Sequence, residues 1–404
     1  MDTPSHSTTL IRSNRVVAKR TSNTAEDWLP DFSKVPPVER RVARYALQLL
    51  SWNDISQGRV HQFQLPDTIK AAWEVIVPLL GKRAATRIWD TLLSSVRSND
   101  SEDHLRSWHM NLLMQLPDGL LARLVREDGD APIQPVVALL RNVLGLTSAE
   151  TRLLDFLDNR QSVGTFHSFI RLSKGCDSEA NFQRMAALLG ITLADIRQVL
   201  DKKSVLSELR LIEVSGRGFN DLDHFITSSE GLKEIFLAAP ASEEALRDLL
   251  IESAPAPDWT LDDFPHLANP AATLKQVLGQ AARNGDTGVN ALFIGPPGTG
   301  KSEFAYALAA SIGLHLYRVR SSDDDGEGVG RRGRLVAYLL AQRLLQRRRD
   351  ALILFDEVED VFDGDDASSL RLLLGGKRRA GQEKGWMNRL LEENRVPAPN
   401  AFRP

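Results

Sequence analysis

The sequence predicts a multidomain chain with an all-α N-terminal half and a C-terminal α/β three-layer sandwich. Three observations carry that expectation. From about residue 36 to 125 apolar residues recur at steps of three and four, the spacing of one helix face. Between 290 and 355 the pattern changes to the short apolar runs Ala291–Ile294 and Ala351–Phe355, with room for a further strand, His315–Val319, and helical stretches between them. That alternation suits parallel strands covered on both faces. An alanine- and proline-rich stretch, Pro240 to Pro257, divides the two regimes.

At 404 residues the chain has room for two or three domains, each with its own core. A net charge of -3 argues against binding nucleic acid by bulk charge, while leaving room for a local basic patch. The single cysteine, Cys176, excludes an intramolecular disulfide framework and a cysteine-based structural zinc site. It fits a reducing compartment. No uninterrupted apolar run reaches the roughly 20 residues needed to span a bilayer. The expectation is therefore a soluble cytoplasmic protein.

Residues 1–30 are rich in Ser, Thr and Arg without a period, and read as a disordered tail. A transit peptide would share the Arg and Ser but not Asp2, Glu26 and Asp27. Residues 31–128 read as a helical domain. Val38, Val42, Tyr45 and Leu49 share a face, as do Ile69, Trp73, Ile76 and Leu80, and then Leu105, Trp108, Leu112 and Leu116. Period alone makes the tryptophans core rather than a ligand pocket. Glu127–Pro135 (EDGDAPIQP) reads as a connector.

A second helical domain is expected over 136–238. Thr147 and Glu150 have capping-box spacing, with Leu153, Leu154 and Leu157 behind them. Phe182–Leu189 reads as a short helix, and Thr192 caps the next, which turns Leu193, Ile196 and Leu200 inward. Leu209–Val214 reads as a strand, Ser215–Gly218 as a turn and Phe219–Leu222 as a return strand. Helix, turn, helix and small hairpin follow the order of a winged helix. A DNA-recognition helix at 193–200 would offer Asp195, Arg197 and Gln198, with Lys202 and Lys203 beyond, a small cationic supply for phosphate contacts. Winged helices also serve as protein–protein modules. Residues 239–258 then read as a linker around a short acidic helix.

The C-terminal region, 259–404, holds the chemistry. After the run Ala291–Ile294, residues Gly295, Pro296, Pro297, Gly298, Thr299, Gly300, Lys301 and Ser302 spell GPPGTGKS, followed by a helical pattern over Glu303–Ile312. This is G-x-x-x-x-G-K-[ST] in its required setting of strand, loop and helix. Glycines let backbone N–H groups converge on an anion, and the helix N-terminus adds partial positive charge. Lys301 would reach the β- and γ-phosphates of a bound triphosphate as a mobile point charge. Ser302 would give its hydroxyl to Mg²⁺. Downstream, ALILFDE places Asp356 and Glu357 at the carboxyl end of an apolar strand, where open α/β sheets bind ligands. Asp356 would serve Mg²⁺, and Glu357 would orient the attacking water. The interval from Lys301 leaves room for one strand, His315–Val319, and one helix, Leu335–Gln346. Arg347, Arg348 and Arg349 after that helix suit a solvated end offsetting the macrodipole better than a nucleic-acid patch.

GPPGTGKS with LILFDE resembles the Walker A and Walker B motifs of the AAA+ ATPases, over about residues 260–397. The order of helical, winged-helix-like and ATPase blocks looks like a group of bacterial AAA proteins. The resemblance implies a P-loop NTPase core, ATP and Mg²⁺ as ligands, Lys301 and Glu357 in catalysis, and Ser302 and Asp356 at the metal. It also implies a protein client, remodelled with the energy of hydrolysis, and assembly into rings of like copies. A non-hydrolysing nucleotide-binding module and a DNA-binding regulator are the alternatives.

The pattern departs from the family in three places. The segment that often contacts adenine reads DDFPHL, Asp262 to Leu267, not hydrophobic-Asp-hydrophobic-Gly. Gly328 precedes Val329 and Gly330 where protein-threading members carry an aromatic residue. Lys384–Asn394 resembles the helix before the family's next strand, and Val396-Pro397 the start of that strand, but the chain then reads APNAFRP. Pro399 and Pro404 suit a central strand poorly, and Asn400 is not taken as the family's sensor asparagine. The expectation is a module cut short in a truncated or frame-shifted product. The helical lid and arginine finger would be absent, hydrolysis slow or absent, and a sheet edge open.

Overall fold

The computed structural model describes residues 31–52, 65–96, 112–117, 119–129, 132–173, 178–215, 222–321, 331–356 and 391–402. Among the described residues the first helices named are α1 (Pro37–Leu50), α2 (Leu65–Ile76), α3 (Lys82–Val96) and α4 (Leu120–Gly129). Val42, Tyr45 and Leu49 of α1 are buried, as the period requires, and Trp73 of α2 stacks on Trp89 of α3 at 5.4 Å. The tryptophan pair is core. Trp108 and His109 lie outside the described residues.

Next come α5 (Pro135–Leu144), α6 (Ser148–Ser162), α7 (Gly164–Leu172), α8 (Ser178–Leu189), α9 (Leu193–Val199) and the single turn α10 (Val205–Glu208). The capping box at α6 forms: Glu150 N–H donates to Thr147 Oγ1, and the Glu150 carboxylate accepts from Thr147 N–H at 2.9 Å. Thr192 and Asp195 repeat it at α9. A buried ionic cluster ties α1 to α4 and α6. Arg41 bonds Asp155 at 3.0 Å, Arg44 bonds Asp128 at 2.5 Å, and the Tyr45 hydroxyl donates to Asp155 at 2.7 Å.

Strand β1 (Ile212–Val214) pairs antiparallel with β2 (Ile226–Ser228), and the short helix α11 (Leu222–Phe225) lies between them. The expected return strand at Phe219–Leu222 is thus corrected: Leu222 is helical, Phe219 lies outside the described residues, and pairing begins at Ile226. A winged-helix order predicts a hairpin but not how many residues separate its strands. Two helices follow, α12 (Glu230–Ala238) and α13 (Glu243–Leu250), and then β3 (Ile251–Ser253).

The stretch expected as a linker is therefore built into the fold. Ser242 caps α13, and β3 adds to β5 (His315–Val319) in antiparallel register, Ile251 opposite Val319. Arg318 and Glu252 form an ion pair across that register. Composition favoured a tether; the partner that orders the stretch lies far downstream.

The C-terminal sheet combines β4 (Asn290–Ile294), β5, β6 (Ala351–Leu354) and β7 (Ala398–Phe402). Pairs β5–β6 and β4–β7 are parallel, and a parallel bridge from Phe355 to Asn400 joins them, so the strands run β3–β5–β6–β7–β4. Helices α14 (Ala268–Asn284) and α15 (Lys301–Ile312) cover one face, and α16 (Arg331–Leu345) the other. Alternation along the strands makes these layers. Leu316, Leu352 and Leu354 point into a core with Phe304 and Leu308, whereas Tyr317, Val319, Ile353 and Phe355 point towards α16. That second core runs on without a break into the helical half of the chain.

β7 corrects the objection to Pro399. The strand is central, and the proline costs the ladder only its own missing donor. Ile353 N–H donates to Pro397 O, Phe355 N–H to Pro399 O at 3.3 Å, and Ala401 N–H to Phe355 O at 3.0 Å. Side chains seat the strand from outside the ladder. Gln342 accepts from Arg395 and Val396 N–H and donates to Val396 O, and Asn394 donates to Asn290 at 2.9 Å. Asn400 is buried, its amide turned back on Ala398 O.

Candidate functional site

β4 stops at Ile294 and α15 starts at Lys301, and the glycine-rich turn between them opens at the carboxyl end of the sheet. Gly298 (φ +76°) and Gly300 (φ +78°) hold the left-handed conformation that a Cβ strains. At Gly295 the constraint is space: a Cβ would stand 3.1 Å from Thr299 Oγ1. The Thr299 hydroxyl donates to Pro296 O at 2.9 Å. Lys301 Nζ donates to Gly295 O at 2.8 Å and Pro296 O at 2.9 Å, so the loop folds back around its own ammonium. Residues 296–299 are exposed. The first N–H groups of α15 have no acceptor within the helix, an arrangement suited to an anion.

The second half of the site comes from β6. Ser302, one residue into α15, donates its hydroxyl to Asp356 Oδ2 at 2.6 Å. This short bond to a carboxylate fastens the glycine-rich loop to the end of a strand two places away in the sheet. The pair puts two hard oxygen donors side by side at the loop mouth. That set suits magnesium, which binds through one or two protein oxygens together with phosphate and water.

Residues 291–393 match the family model described as ATPase family associated with various cellular activities (AAA). The chain carries an AAA module. The AAA module is similar to stretches of three curated proteins. Lon protease of Leptospira interrogans is 31% identical over 97 residues, 22% of this chain and 12% of that protein. Fidgetin-like protein 1 of Xenopus laevis is 26% identical over 171 residues, 40% and 25% respectively. Peroxisomal ATPase PEX6 of Neurospora crassa is 27% identical over 212 residues, 48% and 15% respectively. The chain thus spans a quarter or less of the length of these relatives. The AAA family entails the α/β fold of P-loop nucleotide-binding proteins.

Of the residues singled out in the sequence, Gly295 to Ser302 and Asp356 gather at one place in the AAA module. Glu357 and the Gly328–Gly330 segment lie outside the described residues. Two further residues stand at the site without having been read from the sequence. Phe264, from DDFPHL, is buried with its ring edge 3.4 Å from where a Cβ on Gly300 would be, and it packs edge-to-face on Phe304 at 5.3 Å. A capping box between Thr260 and Asp263 holds the turn that carries it. Arg334 of α16 reaches under the sheet end and donates to the Asp356 carbonyl. The aromatic in DDFPHL was a legible signal; Arg334 had none, being one arginine among several.

The helix considered for DNA recognition, α9, is occupied by local bonds. Asp195 is spent on the Thr192 cap, and Arg197 pairs with Glu179 at 2.6 Å. Lys202 and Lys203 are exposed. Of the arginines after α16, Arg348 pairs with Asp350 at 2.6 Å and donates to the Tyr317 hydroxyl at 2.9 Å. Among the described residues no helix is long and apolar enough to cross a membrane.

Proposed function

We propose that the AAA module binds ATP with magnesium at Gly295–Ser302 and hydrolyses it, and that the energy remodels a protein or complex chosen by the N-terminal half. The observation that carries this reading is the Ser302–Asp356 pair at the mouth of the glycine-rich loop.

The binding step exchanges partners within the loop. Lys301 releases the Gly295 and Pro296 carbonyls and takes phosphate oxygens, while backbone N–H groups of the loop and of the first turn of α15 receive the rest of the anion. Ser302 and Asp356 are the residues to hold magnesium, which when bound supplies positive charge against the phosphate oxygens. Phe264 forms an apolar wall beside Gly300, on the side from which the preceding segment enters. Glu357, next in sequence to Asp356, is assigned the orientation of the attacking water.

The names of the relatives, two of them an ATPase and a protease, support an energy-using role on a protein client. Membership of the AAA module in its family supports, as part of the same proposal, assembly with further copies of the chain. The test is phosphate release and nucleotide binding in wild type and Glu357→Gln. Binding kept with turnover reduced at least about 100-fold supports hydrolysis as proposed. Tight binding with no turnover in wild type favours nucleotide as a structural ligand instead.

A further inference from the structure

We infer that Arg334 is a positioning residue for the carboxylate of Asp356, acting from the face of the sheet opposite the glycine-rich loop. The inference rests on the ATP–magnesium reading and adds to it a residue that touches neither nucleotide nor metal.

Arg334 is 4% exposed. Burying a guanidinium costs several kcal/mol unless fixed acceptors compensate, so its place in the first turns of α16 calls for a reason. Its guanidinium donates to the backbone carbonyl of Asp356 and lies 5.2 Å from the Phe355 ring. Tyr338, one helical turn further along α16, stacks on the same ring at 5.2 Å with the planes 11° apart. Arg334 and Tyr338 together grip the two residues at which β6 gives out.

Regular strand pairing ends at Leu354, and Phe355 adds a bridge to Asn400. Asp356 follows the last of these, where neighbouring strands no longer dictate its orientation. The Asp356 carboxylate nevertheless has to stay 2.6 Å from Ser302. Holding the carbonyl fixes the peptide plane leading out of Asp356 and so the direction of its side chain. Residues that orient a metal-binding carboxylate in this way typically matter 10–100-fold to metal affinity.

The experiment titrates the full chain with ATP in EDTA and again with magnesium, in wild type, Arg334→Met and Arg334→Lys. Methionine keeps bulk beneath the sheet and removes the donors; lysine keeps a donor without the planar fork. The expected result for Arg334→Met is metal-free ATP affinity within about twofold of wild type, with magnesium enhancement reduced about 10–100-fold. Arg334→Lys recovers part of the enhancement. Unchanged enhancement in Arg334→Met overturns the inference. Equal loss of affinity with and without magnesium in both variants also overturns it, since that is the mark of general structural damage. A wild-type chain that binds no ATP under either condition refutes the nucleotide reading itself, a result distinct from both.

Discussion

The Ser302 hydroxyl and the Asp356 carboxylate meet across 2.6 Å, joining the first turn of α15 to the end of β6. The contact links two segments that only the fold brings together, and it sets both oxygens directly after the loop that would cradle a polyphosphate. Ser302→Ala and Asp356→Asn should each weaken magnesium-dependent ATP binding by at least about tenfold. Metal-free binding should change little, because the loop N–H groups and Lys301 remain. Calorimetric titration with and without magnesium checks this; equal losses under both conditions would contradict it.

Gln342 is the fastening of β7. Buried in α16, its amide oxygen accepts from Arg395 and Val396 N–H, and its nitrogen donates to Val396 O and to the Tyr338 hydroxyl. Gln342→Leu takes the acceptor from the buried Val396 N–H and from the Arg395 N–H, while Val396 O keeps its bond from Asn394. A loss of about 2–4 kcal/mol is expected. A lower urea midpoint with an unchanged slope would match; an unchanged midpoint would show that the strand is held by its ladder alone.

Asp158 on α6 makes the stability of the helical half depend on pH. Burial first, and then the negative charge of Asp155, push its carboxyl up to about 6 from 3.8, and Arg41 offsets part of the rise. Between those values the folded chain binds a proton that the unfolded chain does not. The contribution is therefore fully present below the ordinary carboxylate range and is lost as pH rises through about 6. Asp158→Asn should be more stable than wild type at pH 7, with the gap closing towards pH 4. Urea midpoints across that range test it, and a gap independent of pH would contradict it.

The α/β half was legible where one local rule governed one element. β6 could be read because it is an apolar run that the layers bury on both sides, and β5 because Leu316, Tyr317 and Val319 stand in a short stretch between two helical patterns. The loop could be read because its glycines answer local demands of space and φ. β3 could not, since three residues have no period and their partner Val319 lies in a distant strand. Pro399 misled because the rule against proline in central strands counts the lost donor but not the surviving bonds to Phe355. Arg334 escaped for the same reason as β3. Its role depends on Asp356, and nothing in the intervening sequence announces that the two meet.

The most direct measurement of the central claim is ATP binding by wild type beside Lys301→Ala, both in magnesium. Lys301 Nζ already sits among the loop carbonyls, placed to exchange them for phosphate. Removing it should cost about 1.5–3 kcal/mol, roughly ten- to a hundredfold in Kd, with the thermal midpoint of the ligand-free chain unchanged. Saturable wild-type binding with that loss is the predicted result; no wild-type binding, or equal binding by both chains, would contradict the account.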